Sequence, residues 1–153
     1  MTEAASECTP IRRVVLGGLL GGLISNVSGI ALGALVLQAE ASKFFRAMEN
    51  PPSGTRVFIE HVLMRFGMGL AAAWLYWAIR PRFRARKRAV FAAAVFLWLT
   101  VYLFPALIFE ELRIYSTRTA VIGAAWGLVE LVLVVVMVSR VLRNGAKAPR
   151  NET

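Results

Sequence analysis

Five polar residues lie within long apolar stretches of the chain, where a hydrogen-bonding or ionisable side chain is unusual. They are Asn26, His61, Arg65, Thr100 and Glu130. A charge in the hydrocarbon core costs about 2.5–3.5 kcal/mol on insertion scales, so such groups usually pair with one another or line a polar pathway. Arg65 is the only basic residue deep in an apolar run, and Glu130 the only acidic one. We therefore predict that these two side chains pair, with Asn26 completing the hydrogen bonds.

A second placement of Arg65 remains open at this stage. Helical side chains lean toward the N-terminus, so Arg65 could instead extend outward to Glu110, Glu111 or water. His61 precedes Arg65 by four residues and shares its helical face. The polar residues therefore form either one layer inside the protein or a set that is split between the interior and the surface.

Two kinds of chemistry could use such a layer. A proton, an ion or a small solute could cross the membrane along the polar side chains, whereas a buried ion pair could simply determine how the helices assemble. His61 could also ligate haem or a metal, with Met64 or Met68 as a second ligand, although methionines more often fill a core. The chain has one His, so we predict no metal and no cofactor.

Residue patterns typical of enzymes are missing from the sequence. It has no Gly-rich phosphate loop followed by Lys and Ser or Thr, no His-Glu-x-x-His and no Ser-His-Asp set. Its single Cys excludes a disulfide framework and a Cys-based metal site. We therefore predict that the chain is not an enzyme.

Composition indicates a membrane protein. The 153 residues are 58% hydrophobic, and their mean hydropathy is +0.61. Four segments reach the ~20 apolar residues that cross a ~30 Å hydrocarbon core. A cleaved signal peptide ending at Ala39–Ala41 is the weaker alternative, because its apolar region of about 24 residues exceeds the ~7–15 expected. The predicted fold is an all-α, four-helix transmembrane bundle with spans at about 14–38, 57–79, 89–109 and 119–139, a tail at 1–13 and a disordered tail at 144–153.

Small residues recur at helical spacing beside the polar ones and predict the packing face of three spans. Membrane helices approach one another closely through such residues, so the polar side chains on the same stripe should point inward. With a rise of about 1.5 Å per residue, each of the four spans has one polar group roughly 14–21 Å from its predicted cytoplasmic end. The stripes are Gly18, Gly22, Asn26, Gly29 and Gly33; His61, Arg65, Gly69, Ala72 and Tyr76; and Ala120, Gly123, Gly127, Glu130 and Val134.

Positive charge predicts the orientation in the membrane. Twelve of the eighteen Lys and Arg residues lie in the two tails and in the link between the second and third spans. Cytoplasmic loops carry an excess of such residues, so both termini should be cytoplasmic.

The net charge of +9 comes from basic residues that lie beside apolar segments, and this placement argues against a nucleic-acid partner. We expect anionic lipid headgroups, or alternatively an acidic protein partner, at the basic loop formed by Arg80, Arg82, Arg84, Arg86, Lys87 and Arg88.

The outer links carry signals for helix ends. The link at 39–55 should extend the first helix until Asn50-Pro51-Pro52, because proline removes a donor and disfavours helix before it. Ser116 or Thr117 can cap the fourth helix. Pro105 should bend the third span near its outer end.

Three elements resemble a family of small, uncharacterised four-span bacterial integral membrane proteins. They are the "WLYWAIRPRF" element at 74–83, the Gly-rich stretch leading to Asn at 21–27, and "WGLVE" at 126–130. The similarity covers most of residues 14–143. Two positions depart from the family pattern: Ser28-Gly29 stands where an acidic or polar residue is expected, and Arg84 where a Gly is expected. The resemblance implies this architecture only and transfers no activity. We expect the protein in a bacterial cytoplasmic (inner) membrane, as a multi-pass protein.

These features favour a structural or accessory membrane protein, which associates with itself or with a membrane complex. The alternative function is a small transporter or channel for a proton, an ion or a solute that uses the mid-membrane polar cluster. The two functions differ in what they predict for reconstituted protein. Transport predicts pH-dependent flux that is lost in Glu130→Gln, whereas an accessory protein should show no flux and a co-purifying partner.

Overall fold

The computed structural model describes the backbone of residues 4–144 and the side chains of residues 11–39, 42, 43 and 45–143. Within these residues the fold is all-helical, as predicted. Two π-turns, Gly33–Leu37 and Leu99–Leu103, continue one helix into the next, and a 3-10 turn at Arg80–Arg82 follows the third helix. The helices are α1 (Ala4–Leu32), α2 (Gln38–Arg46), α3 (Gly54–Ile79), α4 (Arg86–Trp98), α5 (Phe104–Glu111) and α6 (Thr117–Asn144).

Four segments are long and apolar enough to cross a membrane: Ile11–Leu37, Gly54–Arg82, Arg86–Glu111 and Thr117–Arg143. The predicted four-span fold is thereby confirmed, and the chain is a multi-pass membrane protein. Helix α1 begins at Ala4, inside the stretch that we predicted as a tail. The predicted disordered tail at 144–153 lies outside the described residues, apart from the backbone of Asn144.

The helix ends follow local signals. Helix α2 ends at Arg46, shortly before the two prolines. Ser53 caps α3, because its hydroxyl accepts a bond from the amide of Arg56 at 3.3 Å. Ser116 caps α6 in the same way, through the amide of Thr119 at 3.3 Å. The prediction named Ser116 or Thr117 and missed Ser53.

Close packing of α1 on α3 forms the centre of the bundle. A Cβ at Gly18 or Gly22 would lie 2.8 Å from the Cα of Leu70 or Phe66. A Cβ at Gly69 would collide with the backbone of α1 at Gly18 and Gly22. Glycine therefore lets the two backbones touch, and α6 packs against α1, α3 and α4 to complete the bundle.

The third span changes halfway from an α-helix to a π-turn. Ala89, Ala93 and Leu97 form its buried face in steps of four residues. The π-turn at Leu99–Leu103 follows, and each of its backbone bonds spans five residues instead of four. The next inward side chain is Tyr102, five positions after Leu97, while Val101 is exposed.

Candidate intramembrane polar site

Arg65 and Glu130 form a buried ion pair between α3 and α6. The Nη1 atom of Arg65 lies 2.6 Å from Oε1 of Glu130. The side chain of Arg65 is 10% exposed and that of Glu130 is fully buried. The predicted pairing is present, and the alternative in which Arg65 extends outward is wrong.

Two further hydroxyl groups complete the site, which we call the polar centre (Ser25, Arg65, Tyr102 and Glu130). Ser25 Oγ donates to Glu130 Oε1 at 2.7 Å, and Tyr102 Oη donates to the same oxygen at 2.6 Å. Arg65 Nη1 also lies 3.0 Å from Ser25 Oγ and 2.9 Å from Tyr102 Oη. One carboxylate oxygen thus receives donors from the other three spans.

The shape of the neighbouring backbone makes room for these side chains. A Cβ at Gly29 of α1 would overlap the guanidinium of Arg65. A Cβ at Gly127 of α6 would overlap the ring of Tyr102. The guanidinium carbon lies 6.0 Å from the centre of that ring, within the range of a cation–π contact. Glycines on two helices therefore leave the space that the guanidinium and the phenol ring occupy.

Asn26 does not complete the hydrogen bonds of the pair, contrary to the prediction. Its Nδ2 donates to the carbonyl oxygen of Gly22 at 2.9 Å and to that of Val62 at 3.4 Å. The amide is buried, but it links α1 to the backbone of α3. The role assigned to Asn26 belongs to its neighbour Ser25.

Thr100 lies outside the polar centre, so its inclusion in the layer was wrong. It is exposed, and its hydroxyl donates to carbonyl oxygens of its own helix at Phe96, 3.0 Å away, and Leu97, 3.2 Å away. The five-residue step of the π-turn turns Tyr102 inward instead. Helical periodicity in the sequence could not reveal this change. The available signal was the side chain of Tyr102, whose phenol is long enough to reach the pair.

His61 is not a hydrogen-bond partner of the ion pair. It is half-buried and forms no hydrogen bond with the residues that the structure describes. The nearby Glu60 pairs with Arg56 at the exposed start of α3, at 2.7 Å. Met64, considered as a haem ligand, is 66% exposed on the surface of the bundle. In the described part of the chain no cluster of three or more His, Cys, Asp or Glu side chains could hold a metal ion.

Two buried oxygens near the centre have no partner among the described residues: Glu130 Oε2 and Asn26 Oδ1. A cavity of about 140 Å³ also borders the centre, on the side of the α5–α6 turn. Its lining includes Arg65 and Tyr102 at one end and Tyr115 and Thr119 toward the turn. The volume is sufficient for several water molecules.

The basic loop lies at the opposite end of the bundle, beside Arg13 of α1 and Arg143 of α6. Arg13 of α1, Arg80 and Arg86 of the loop, and Arg143 of α6 line one cleft there. The other basic loop residues are exposed outside that cleft: Arg82, Arg84, Lys87 and Arg88. The most basic segments of the chain therefore share one end, as the charge pattern requires.

No protein-family model, curated protein or solved structure matches this chain. The resemblance to the small bacterial membrane proteins therefore stays a prediction.

Proposed function

We propose that the chain is a structural or accessory protein of a bacterial cytoplasmic (inner) membrane, with both termini in the cytoplasm, which associates with itself or with a membrane complex. The observation that carries the proposal is the sharing of Glu130 Oε1 by donors from the three other spans. Such an oxygen stabilises one arrangement of four helices. Breaking a buried ion pair typically costs about 3–5 kcal/mol, so the pair acts as a strong constraint on assembly.

The location within the membrane rests on two supports. The clustering of basic residues at one end of the bundle favours cytoplasmic termini under the positive-inside rule. The resemblance to small bacterial membrane proteins, carried in part by the element at 74–83, supports the choice of a bacterial inner membrane. Association with a partner is favoured because the hydrogen bonds of the polar centre join all four spans and so serve assembly.

A second candidate function is supported by the cavity beside Arg65 and by the unpartnered Glu130 Oε2. A proton or small solute that entered this cavity from the α5–α6 turn would meet Arg65 and Tyr102, which both contact Glu130. Transport through this site would require Glu130 to change its protonation state or partners during each cycle.

Flux measurements separate the two functions. Purified protein is reconstituted into vesicles with a pH gradient, and proton flux is compared for wild type, Glu130→Gln and the matched control Thr100→Val, whose hydroxyl lies outside the polar centre. We expect no flux above that of protein-free vesicles. Flux that is lost in Glu130→Gln and kept in Thr100→Val would establish transport instead.

Cross-linking in native membranes tests the association. We expect cross-linked pairs of this chain, or a cross-linked species with a constant second protein, at expression levels that do not crowd the membrane. A chain that stays monomeric and partnerless in the membrane, and shows no flux, contradicts the accessory function.

A further inference from the structure

The cleft at the basic end of the bundle has the features of a built anion site. Its lining includes four arginines from three separate parts of the chain: Arg13, Arg80, Arg86 and Arg143. No acidic residue is among the residues that line it. Arginine forms a planar fork of donors that matches the oxygens of a phosphate.

Two of these arginines are positioned by the fold. Arg86 Nη2 donates to Ser139 Oγ of α6 at 2.8 Å, and Arg80 Nη1 donates to the carbonyl oxygen of Phe83 at 2.8 Å. Each guanidinium has five N–H donors, so both retain donors for a ligand after making these bonds. The described salt bridges of the protein lie elsewhere, at Arg56 and Arg65.

The cleft lies at the ends of the membrane-length segments Gly54–Arg82 and Thr117–Arg143, where lipid headgroups are expected. Trp77, one of its lining residues, is 47% exposed at the end of α3. Tryptophan is enriched where the hydrocarbon core meets the headgroups. The cleft encloses about 450 Å³, which falls in the range of about 300–1,000 Å³ that small-molecule sites occupy. An amphipathic occupant can therefore place its charge on the arginines and its acyl chains beside Trp77.

We propose that this basic cleft binds the phosphate group of an anionic phospholipid, with Arg13, Arg80, Arg86 and Arg143 as its donors. The site differs from a general attraction of the basic loop to the membrane surface. A general attraction would depend on all charges of the loop alike. The cleft instead depends on Arg13 and Arg143, which lie outside the loop, and is indifferent to Arg82 and Arg84.

Thermal unfolding of the purified full chain in a neutral detergent tests the proposal, because a ligand that binds the folded state raises the unfolding temperature. The probes are short-chain phosphatidylglycerol, short-chain phosphatidylcholine and soluble glycerol 3-phosphate. At about 0.15 M salt the Debye length is about 8 Å, which limits diffuse attraction. We expect phosphatidylglycerol to raise the unfolding temperature and the other two probes to leave it unchanged.

Paired variants of equal charge locate the site. Arg13→Gln with Arg143→Gln should weaken phosphatidylglycerol binding by roughly 25-fold, since each lost cation is worth about a factor of five. Arg82→Gln with Arg84→Gln removes the same charge outside the cleft and should change the affinity by less than about twofold at this salt concentration. If the first pair does not fold, the single exposed change Arg143→Gln should weaken binding about fivefold.

Three results would overturn the proposal. If both double variants weaken phosphatidylglycerol binding equally, the lipid is attracted by the overall positive charge and not by a specific site. Equal stabilisation by glycerol 3-phosphate would make a free phosphate the occupant in place of a lipid. If phosphatidylglycerol does not change the unfolding temperature of the wild-type chain, the cleft does not bind this lipid.

Discussion

At the residue scale, the buried charge of Arg65 is compensated by contacts from three helices. Glu130 supplies the opposite charge, and Ser25 and Tyr102 supply hydroxyl groups that bridge the two. In a low-dielectric interior such contacts are stronger than in water, and an unpaired partner is correspondingly costly. The site is therefore sensitive to the loss of one charge and much less sensitive to the loss of both.

This asymmetry gives a double-mutant prediction. Arg65→Leu and Glu130→Leu should each lower the free energy of unfolding by about 3–5 kcal/mol, because each leaves one buried charge without its partner. The double variant should be more stable than either single variant, since leucine at both positions suits the apolar surroundings. The measurement is the free energy of unfolding of the purified protein in mixed detergent micelles.

Thr100→Leu serves as the control for that cycle. It introduces a leucine on the exposed side of the third span and should change the free energy of unfolding little. A double variant that is as unstable as the sum of its singles would contradict coupling between Arg65 and Glu130.

The composition of the polar centre was only partly predictable. Arg65 and Glu130 could be paired from the sequence because they are the only deep charges of opposite sign. Ser25 could not be preferred over Asn26, because the two are adjacent and both can donate a hydrogen bond. Asn26 has two amide hydrogens, and carbonyl oxygens on α1 and α3 accept from its Nδ2.

At the element scale, the π-turn at Leu99–Leu103 decides which residue of the third span reaches the polar centre. In a regular helix the next inward position after Leu97 would be four residues later, at Val101. The extra residue of the π-turn shifts that inward position to Tyr102. Thr100 was selected from the sequence by its depth along the span, and depth alone does not tell which way a side chain faces. Irregular winding depends on tertiary contacts, here the hydrogen bonds of the phenol, which local sequence patterns do not encode.

Contact between the backbones of α1 and α3 gives a second prediction. Gly69→Ala should lower the free energy of unfolding by about 1–3 kcal/mol, because its methyl group would collide with backbone atoms at Gly18 and Gly22 that cannot give way. The readout is the same unfolding measurement. Gly67→Ala is the matched control, because no atom lies within 4 Å of a Cβ placed there.

The control should be neutral or slightly stabilising, since alanine is favoured over glycine within a helix. Equal effects of the two substitutions would show that the interface of α1 and α3 tolerates an added methyl group, and the glycine contact would then have no structural role.

At the scale of the whole molecule, apolar length was enough to predict four spans, and the spacing of small residues predicted the packing faces of three of them. Each span must satisfy its own backbone in lipid, which makes helices the default. The start of the first helix was harder to predict, because α1 continues into the polar N-terminal residues, whereas its extension into α2 was predicted from the residues before the two prolines. Polar helical extensions carry no hydropathy signal.

Orientation gives a prediction at this scale. In a Cys8→Ser background, Ala47→Cys at the end opposite the basic cleft should react with a membrane-impermeant maleimide in intact cells stripped of their outer membrane. Ala85→Cys in the basic loop should react only after lysis, because the positive-inside rule keeps that loop cytoplasmic. The reverse labelling pattern would overturn the proposed orientation.

The polar centre also determines the order in which the protein can mature. Glu130 follows Arg65 by 65 positions, and at about 5–20 residues per second a ribosome needs about 3–13 s to add them. During that interval the guanidinium enters the bilayer with Ser25 already synthesised and its counter-charge still missing. Arg65 therefore has no counter-charge until the last helix leaves the insertion machinery. A message truncated before that helix yields a product with an unpaired arginine, which the cell's quality control should recognise and degrade.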